Sequence, residues 1–179
     1  MVYLPAEDSF LLSNEVKKYI SQLENKNIKI LDMGSGSGVQ ALTCMEAGVH
    51  KKYILCADID KEAIKHLEKQ KFQIIQSNLF EKIDASFDLI IFNAPYLPED
   101  KYDKGLDTTA GKKGYEIILR FLDQSKTHLN KEGKIFLLFS SLSKPNIILD
   151  YAKKLRYNSE KLAEQEVGMF EKLFVYKFY

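Results

Sequence analysis

Four short groups of residues are of types and spacings that could do chemistry. Asp32 closes an apolar run built on Ile28, Ile30 and Leu31, and Gly34, Gly36 and Gly38 follow it at alternate positions. Asp58 closes the next run, KYILCAD. Ser77, Asn78 and Leu79 follow a third, FQIIQ, and Asn93-Ala94-Pro95-Tyr96 follows a fourth, FDLIIF. A buried strand, a glycine-rich turn and a helix opening at Val39 make the start of a nucleotide-binding βαβ unit. Glycine permits the left-handed backbone and close approach that such a turn needs. The helix start also offers free N–H groups.

The spacing narrows the ligand. A dinucleotide fingerprint reads G-x-G-x-x-G, and here Val39 stands where the third glycine would pack helix on strand. The turn also lacks the Lys-Ser/Thr pair of a phosphate-binding loop. A ligand with ribose and adenine but no pyrophosphate fits, which points to S-adenosylmethionine and its demethylated product S-adenosylhomocysteine. Asp58 is placed to hold ribose hydroxyls, Asp32 to Gly38 to line the methionine end, and Asn78 and Leu79 to meet adenine. Ser9 closes over the methionine end in this reading.

N-A-P-Y, at the carboxyl end of its strand, lies on the same rim. The Asn93 oxygen can accept and its NH₂ can donate. Pro95 biases Ala94 away from helical backbone and so aims the Ala94 carbonyl. An acceptor NH₂ could give one hydrogen to the Asn93 oxygen and the other to the Ala94 carbonyl, leaving its nitrogen towards the cofactor. Tyr96 adds an aromatic face. The chemistry this suits is in-line methyl transfer to nitrogen, which is mostly proximity and orientation. No residue stands out as a general base. The plainer reading of N-A-P-Y is a strand-to-loop turn, where Asn and Pro are common.

The elements that must position these residues follow from periodicity. Strands are expected at 28–31, 53–57, 72–76, 87–92 and 134–140, with helices at 39–47, 61–69, 114–129 and 144–155. Residues 157–167 and 170–179 read as a closing hairpin that turns near Gly168. Alternation of this kind gives a doubly wound, mostly parallel α/β sheet with one antiparallel strand. Pro5, Glu7 and Asp8 mark the start of an N-terminal helix, with acids at the positive end of its dipole. Phe10, Leu11, Val16 and Ile20 form its apolar stripe, as in an ordinary helix covering the sheet. Residues 97–112 are polar and irregular, and a lid with flexible points at Gly105 and Gly111 is expected there.

Composition sets bounds. The chain has 179 residues, is 45% hydrophobic and carries net charge +1, which suits one globular domain over 1–179 and does not favour electrostatic nucleic-acid binding. Cys44 and Cys56 sit in apolar runs as small buried hydrophobes, consistent with a reducing compartment. The three histidines show no metal-ligand spacing, so no metal is expected. No signal peptide or membrane-length apolar run is evident, and a cytoplasmic location is expected.

D-M-G-S-G-S-G, A-D-I-D and N-A-P-Y, in this order, resemble the HemK-like class I S-adenosylmethionine-dependent methyltransferases. The opening Y-L-P-A-E-D-S-F-L-L and the stretch T-T-A-G-K-K-G resemble the short archaeal and eukaryotic branch, and the likeness runs over nearly the whole chain. The resemblance implies a Rossmann-like sheet of seven strands in the order 3-2-1-4-5-7-6. It implies catalysis by Asn93, Ala94, Pro95 and Tyr96 on the glutamine amide of the Gly-Gly-Gln loop of a translation termination factor. Bacterial relatives add an N-terminal recognition domain, which is not expected here. The short branch works with a small zinc-binding activator protein, and strand 72–76, uncharged and at a sheet edge, is where one is expected to add a strand.

Two positions depart from the family pattern. Ala94 replaces a proline, which keeps the carbonyl and loses rigidity worth ~0.4–1 kcal/mol. Asn78 replaces an aspartate and can still accept from an adenine amino group. Two other functions fit the same residues: a nucleic-acid N6-adenine or exocyclic-amine methyltransferase, and a non-catalytic adenosine-ligand binding module.

Overall fold

The computed structural model describes residues 6–96 and 114–179, so Pro5 and the expected lid at 97–112 lie outside the described residues. Seven strands form one sheet: β1 (Ile30–Met33), β2 (Ile54–Asp58), β3 (Gln73–Gln76), β4 (Phe87–Asn93), β5 (Leu129–Ser140), β6 (Ser159–Val167) and β7 (Glu171–Phe178). Their order is β3-β2-β1-β4-β5-β7-β6, as the family resemblance implies. β1, β2, β3, β4 and β5 pair in parallel, and β7 runs antiparallel to both β5 and β6. The chain leaves β1 towards β2 on one side and reaches β4 on the other, so the strand order reverses there. Crevices at such reversals, beyond the carboxyl ends of the strands, are where ligands bind in open α/β sheets.

Among the described residues five α-helices cover the sheet: α1 (Glu7–Gln22), α2 (Val39–Glu46), α3 (Lys61–Lys69), α4 (Glu116–Ser125) and α5 (Pro145–Lys154). Successive residues of a strand face opposite sides, and the central strands are apolar on both. Ile30, Ile54, Leu89 and Ile91 pack with Leu12 and Val16 of α1, Ala41 and Cys44 of α2 and Leu67 of α3. Leu31, Met33, Ile90 and Phe92 pack on the other side with Ile118, Phe121 and Leu122 of α4 and Ile148 and Ala152 of α5. The parallel strands are thereby covered on both faces, as parallel sheets require. Cys44 and Cys56 are buried free thiols.

Two differences from the sequence pattern go beyond a shift of a residue or two at an element's end. α4 ends at Ser125, and a 3-10 turn over Lys126–His128 leads into a β5 that begins at Leu129. The extra length pairs Leu129 with Phe87 before a register shift restarts the ladder at Lys134. At that irregularity a Cβ on Gly133 would lie 2.8 Å from the Phe87 carbonyl oxygen, so the turn-like Asn130–Gly133 is a bulge inside a strand. The second difference is in α1. Its buried face is Asp8, Ser9, Leu12, Ser13, Val16 and Ile20, whereas Phe10 is 56% exposed. The apolar stripe expected through Phe10 is therefore rotated, and it brings polar residues inward at the end nearest the rim. No helix among the described residues is long and apolar enough to cross a membrane.

Candidate functional site

The first half of the rim is built by the ends of β1 and β2. Gly34, Gly36 and Gly38 all have positive φ, so the turn winds left-handed three times in five residues. A Cβ on Gly36 would meet nothing nearer than 3.9 Å, so this is the open side of the turn. Gly38 does something else: a Cβ there would strike Leu67 at 2.9 Å, so it lets α3 pack against the start of α2. Gly34 lies against Phe92, where a Cβ would sit 3.2 Å from the ring.

Asp32 and Asp58 hold this half together through backbone. Asp58 Oδ2 accepts from Gly36 N at 2.8 Å and Oδ1 from Asp60 N at 2.9 Å. Asp32 is 1% exposed, and its Oδ2 accepts from Ala41 N, one of the orphan donors of the first turn of α2. Burial raises the Asp32 carboxyl to about 7; the Asp58 charge adds to the rise, and hydrogen bonds from Ala41 N–H and Ser35 oppose it. A buried acid of that strength suits a neighbouring cationic group such as a ligand ammonium. Ile59, unremarked in the sequence, is 54% exposed directly after Asp58 and offers an apolar surface on the rim. Asn78 is half-buried, and its NH₂ donates to Glu81 Oε1 at 2.7 Å, which fixes the amide's orientation. Leu79 beside it is buried with φ +50°.

The second half is the end of β4. Asn93 Nδ2 donates to Asp8 Oδ2 at 3.0 Å and lies 3.4 Å from Ser9 Oγ. Its Oδ1 is buried without a hydrogen-bond partner. Native folds rarely leave a buried polar atom unmet, and one at a crevice calls for an explanation. Ala94 is buried, Tyr96 OH reaches Asp8 Oδ2 at 3.4 Å, and the Tyr96 carbonyl accepts from Ser143 Oγ at 3.0 Å. N-A-P-Y is thus held at both ends rather than turning freely into a loop. Ser9 is buried; its carbonyl accepts from Gln40 Nε2 at 2.9 Å, and Ser13, Gln40 and Thr43 continue a polar seam between α1 and α2.

The two halves meet because β1 and β4 are neighbours. Asp8 is the residue that the sequence pattern hides. Its place in the first helical turn reads as complementing the helix dipole, yet it is 3% exposed and faces N-A-P-Y. The available signal was spacing: Asp8, Leu12, Val16 and Ile20 recur every four residues, which puts an acid on the buried face. Among the described residues no group of His, Cys, Asp and Glu side chains is placed to hold a metal ion.

The Gly36 cradle, the paired carboxylates and the unmet Asn93 oxygen fit an adenosine-bearing sulfonium cofactor and a nitrogen acceptor. Residues 13–163 match the model of the methyltransferase small domain. A candidate protein N5-glutamine methyltransferase of Methanocaldococcus jannaschii is 34% identical, over 97% of this chain and 89% of that one. The methyltransferase HEMK2 of Homo sapiens is 28% identical over 99% of this chain and 89% of its own. A chain of the E. cuniculi Mtq2–Trm112 complex, which is responsible for methylation of the eRF1 translation termination factor, superposes with a TM-score of 0.78 at 22% identity, covering 98% and 96% of the two chains.

Proposed function

We propose a specific acceptor and partner for a chain that belongs to the methyltransferase small domain family and, within it, is a HemK-like S-adenosylmethionine-dependent methyltransferase. The acceptor is the side-chain amide nitrogen of a glutamine, in the Gly-Gly-Gln loop of a translation termination factor. The observation that carries this reading is the buried, unpartnered Oδ1 of Asn93. It is an unmet acceptor at the carboxyl end of β4, and an amide NH₂ is the donor it lacks. The name of the M. jannaschii relative and the role of the E. cuniculi complex support the same acceptor.

When bound, S-adenosylmethionine supplies a methyl group already activated on a sulfonium. In this reading the chain's own residues bind and orient. Gly34 and Gly36 line the methionine end with Asp32, Asp58 takes the ribose hydroxyls, and Asn78 and Leu79 border adenine. Ser9 borders the methionine end from α1, while Gly38 shapes the turn. Asn93 accepts one amide hydrogen through Oδ1, and the Ala94 carbonyl accepts the other. Those two bonds draw electron density onto a nitrogen whose lone pair is otherwise delocalised into its carbonyl. Pro95 fixes the backbone after Ala94, and Tyr96 walls the acceptor side. Preorganised acceptors of this kind act mainly by electrostatic stabilisation and orientation.

The partner in this reading is a small zinc-binding activator protein that adds a strand to β3. Gln73, Ile74, Ile75 and Gln76 carry no charge and no proline, and among the described residues β3 pairs only with β2. At the opposite edge, β6 carries Glu160, Lys161, Glu164 and Glu166, tied to β7 by ion pairs from Lys172 and Lys177. Charged edges resist pairing and uncharged ones invite it. With a translation-factor acceptor, the enzyme in this reading works in the cytoplasm. The test is mass spectrometry of a termination factor incubated with the chain and S-adenosylmethionine, with and without the activator. A mass gain of one methyl on the loop glutamine is expected, and methylation of a nucleic-acid amine in its place would replace this reading. Ile74→Lys should weaken capture of the activator and leave cofactor binding intact.

A further inference from the structure

We propose that Asp8 is a positioning residue for methyl transfer, one that decides which end of the Asn93 amide meets the acceptor. The inference rests on the reading of Asn93 as the group that receives the acceptor's N–H. An ionised carboxylate can only accept hydrogen bonds. Asp8 Oδ2 stands 3.0 Å from Asn93 Nδ2, so the NH₂ end of that amide must face it. The opposite orientation would set Oδ1 against a carboxylate oxygen. Because an amide is planar with its two ends diverging, fixing the NH₂ against Asp8 turns Oδ1 the other way, where it is buried and unpartnered. Without Asp8, Asn93 would relieve its unmet oxygen by flipping, and would then present donors to an acceptor that is itself a donor.

The same carboxylate reaches further. Tyr96 OH approaches Oδ2 at 3.4 Å, while Ser9 N and Ser9 Oγ hold Oδ1 at 2.6 and 3.3 Å. The Ser9 bonds lock the rotamer of Asp8, and Asp8 then anchors both ends of N-A-P-Y from a helix more than eighty residues away. Its negative charge also polarises the Asn93 amide and so strengthens Oδ1 as an acceptor. The first turn of α1 is in this way part of the machinery that selects an N–H-bearing acceptor, beyond covering the sheet.

A double-mutant cycle tests this against a purely structural role. Single-turnover methylation of a termination factor is measured for the parent, Asp8→Asn, Asn93→Ala and the double variant, with cofactor affinity by calorimetry and melting temperature by circular dichroism. Asp8→Asn should slow transfer about 10–100-fold with cofactor affinity changed less than about twofold. In the Asn93→Ala background the same substitution should cost nothing more, since residues that act through one another are not additive. Asp8→Glu, which keeps an accept-only group, should retain more activity than Asp8→Asn. Parent-like rates in Asp8→Asn alongside an inactive Asn93→Ala would overturn the role of Asp8. Equal losses from Asp8→Asn in both backgrounds would overturn it as well. Full activity in Asn93→Ala would instead overturn the reading of Asn93. One readout needs no acceptor: the Asn93 side-chain NH₂ resonances, identified by their loss in Asn93→Ala, should shift and exchange faster with water in Asp8→Asn. Unmoved resonances would sink the proposal.

Discussion

The two halves of the rim are finished to different degrees. At the ends of β1 and β2 both carboxylates are met by backbone N–H groups: Asp58 takes Gly36 N and Asp60 N, Asp32 takes Ala41 N, and Ser35 Oγ donates to the Asp32 carbonyl at 2.6 Å. At the end of β4 one oxygen of Asn93 is buried with nothing to meet it. A cofactor-binding half must be rigid before the ligand arrives, because every mobile group it orders costs affinity. An acceptor-binding half gains rate only from contacts completed in the reacting complex. In the proposed reading the open valence is the one the substrate would complete.

The largest effect should come from breaking the unfinished half. Asn93→Ala should slow single-turnover methylation about 10³-fold, the scale seen when one preorganised hydrogen-bonding group is removed. Cofactor affinity, measured by calorimetry, should hold within about twofold, because the cofactor half is tied by other bonds. A matching fall in cofactor affinity would erase the division between the halves.

That division was only partly legible in the sequence. The sheet order came with the family resemblance, whereas both acids were readable because strand-end carboxylates and a glycine turn have local spacing. The start of β5 was not, because Asn130–Gly133 has the composition of a turn and only the pairing of Leu129 with Phe87 ahead of it carries the strand back that far. Asp8 escaped for a related reason. Its neighbours in sequence explain it as a helix-dipole acid, and its partner Asn93 is brought near only by packing α1 against the sheet. The choice between a glutamine amide and a base amine as acceptor is not written in spacing, since both present the same NH₂.

The finished half stores its own cost, in Asp32. Its carboxyl lies at about 7 in the fold against 3.8 ordinarily, so the folded chain holds that proton more tightly than the unfolded one. The stabilising contribution is whole below about pH 4, fades as pH rises to about 7, and is flat above. Asp32→Asn should therefore gain stability over the cofactor-free parent at pH 8, on the order of 4 kcal/mol, with the gain vanishing towards pH 4. Urea unfolding at pH 4 and pH 8 reads it. An equal gain at both values would move the stored cost elsewhere.

Asp58→Ala probes the same half at smaller scale. It removes two backbone hydrogen bonds and the proposed ribose contact, and hydrogen bonds to a charged group are worth ~1.5–3 kcal/mol. Cofactor affinity by calorimetry should weaken about 10–100-fold, with the transfer rate at saturating cofactor falling far less. Unchanged affinity would remove Asp58 from the cofactor site.

The smallest effect sharpens the comparison most. Ala94 follows Asn93 directly, is 2% exposed and carries the carbonyl proposed as the second acceptor contact. A proline there fixes φ near −65° and biases the preceding residue to extended backbone, which Asn93, the last residue of β4, already adopts. Ala94→Pro should then stabilise the fold by ~0.4–1 kcal/mol through the unfolded chain alone. It should leave the transfer rate within about threefold, because the carbonyl is retained and Asn93 is oriented by its side chain rather than by its backbone. Thermal melting and single-turnover assays read the two quantities separately. A large loss of rate with unchanged stability would mean that the ring displaces the Ala94 carbonyl. The acceptor half would then depend on backbone placement as strictly as the cofactor half does.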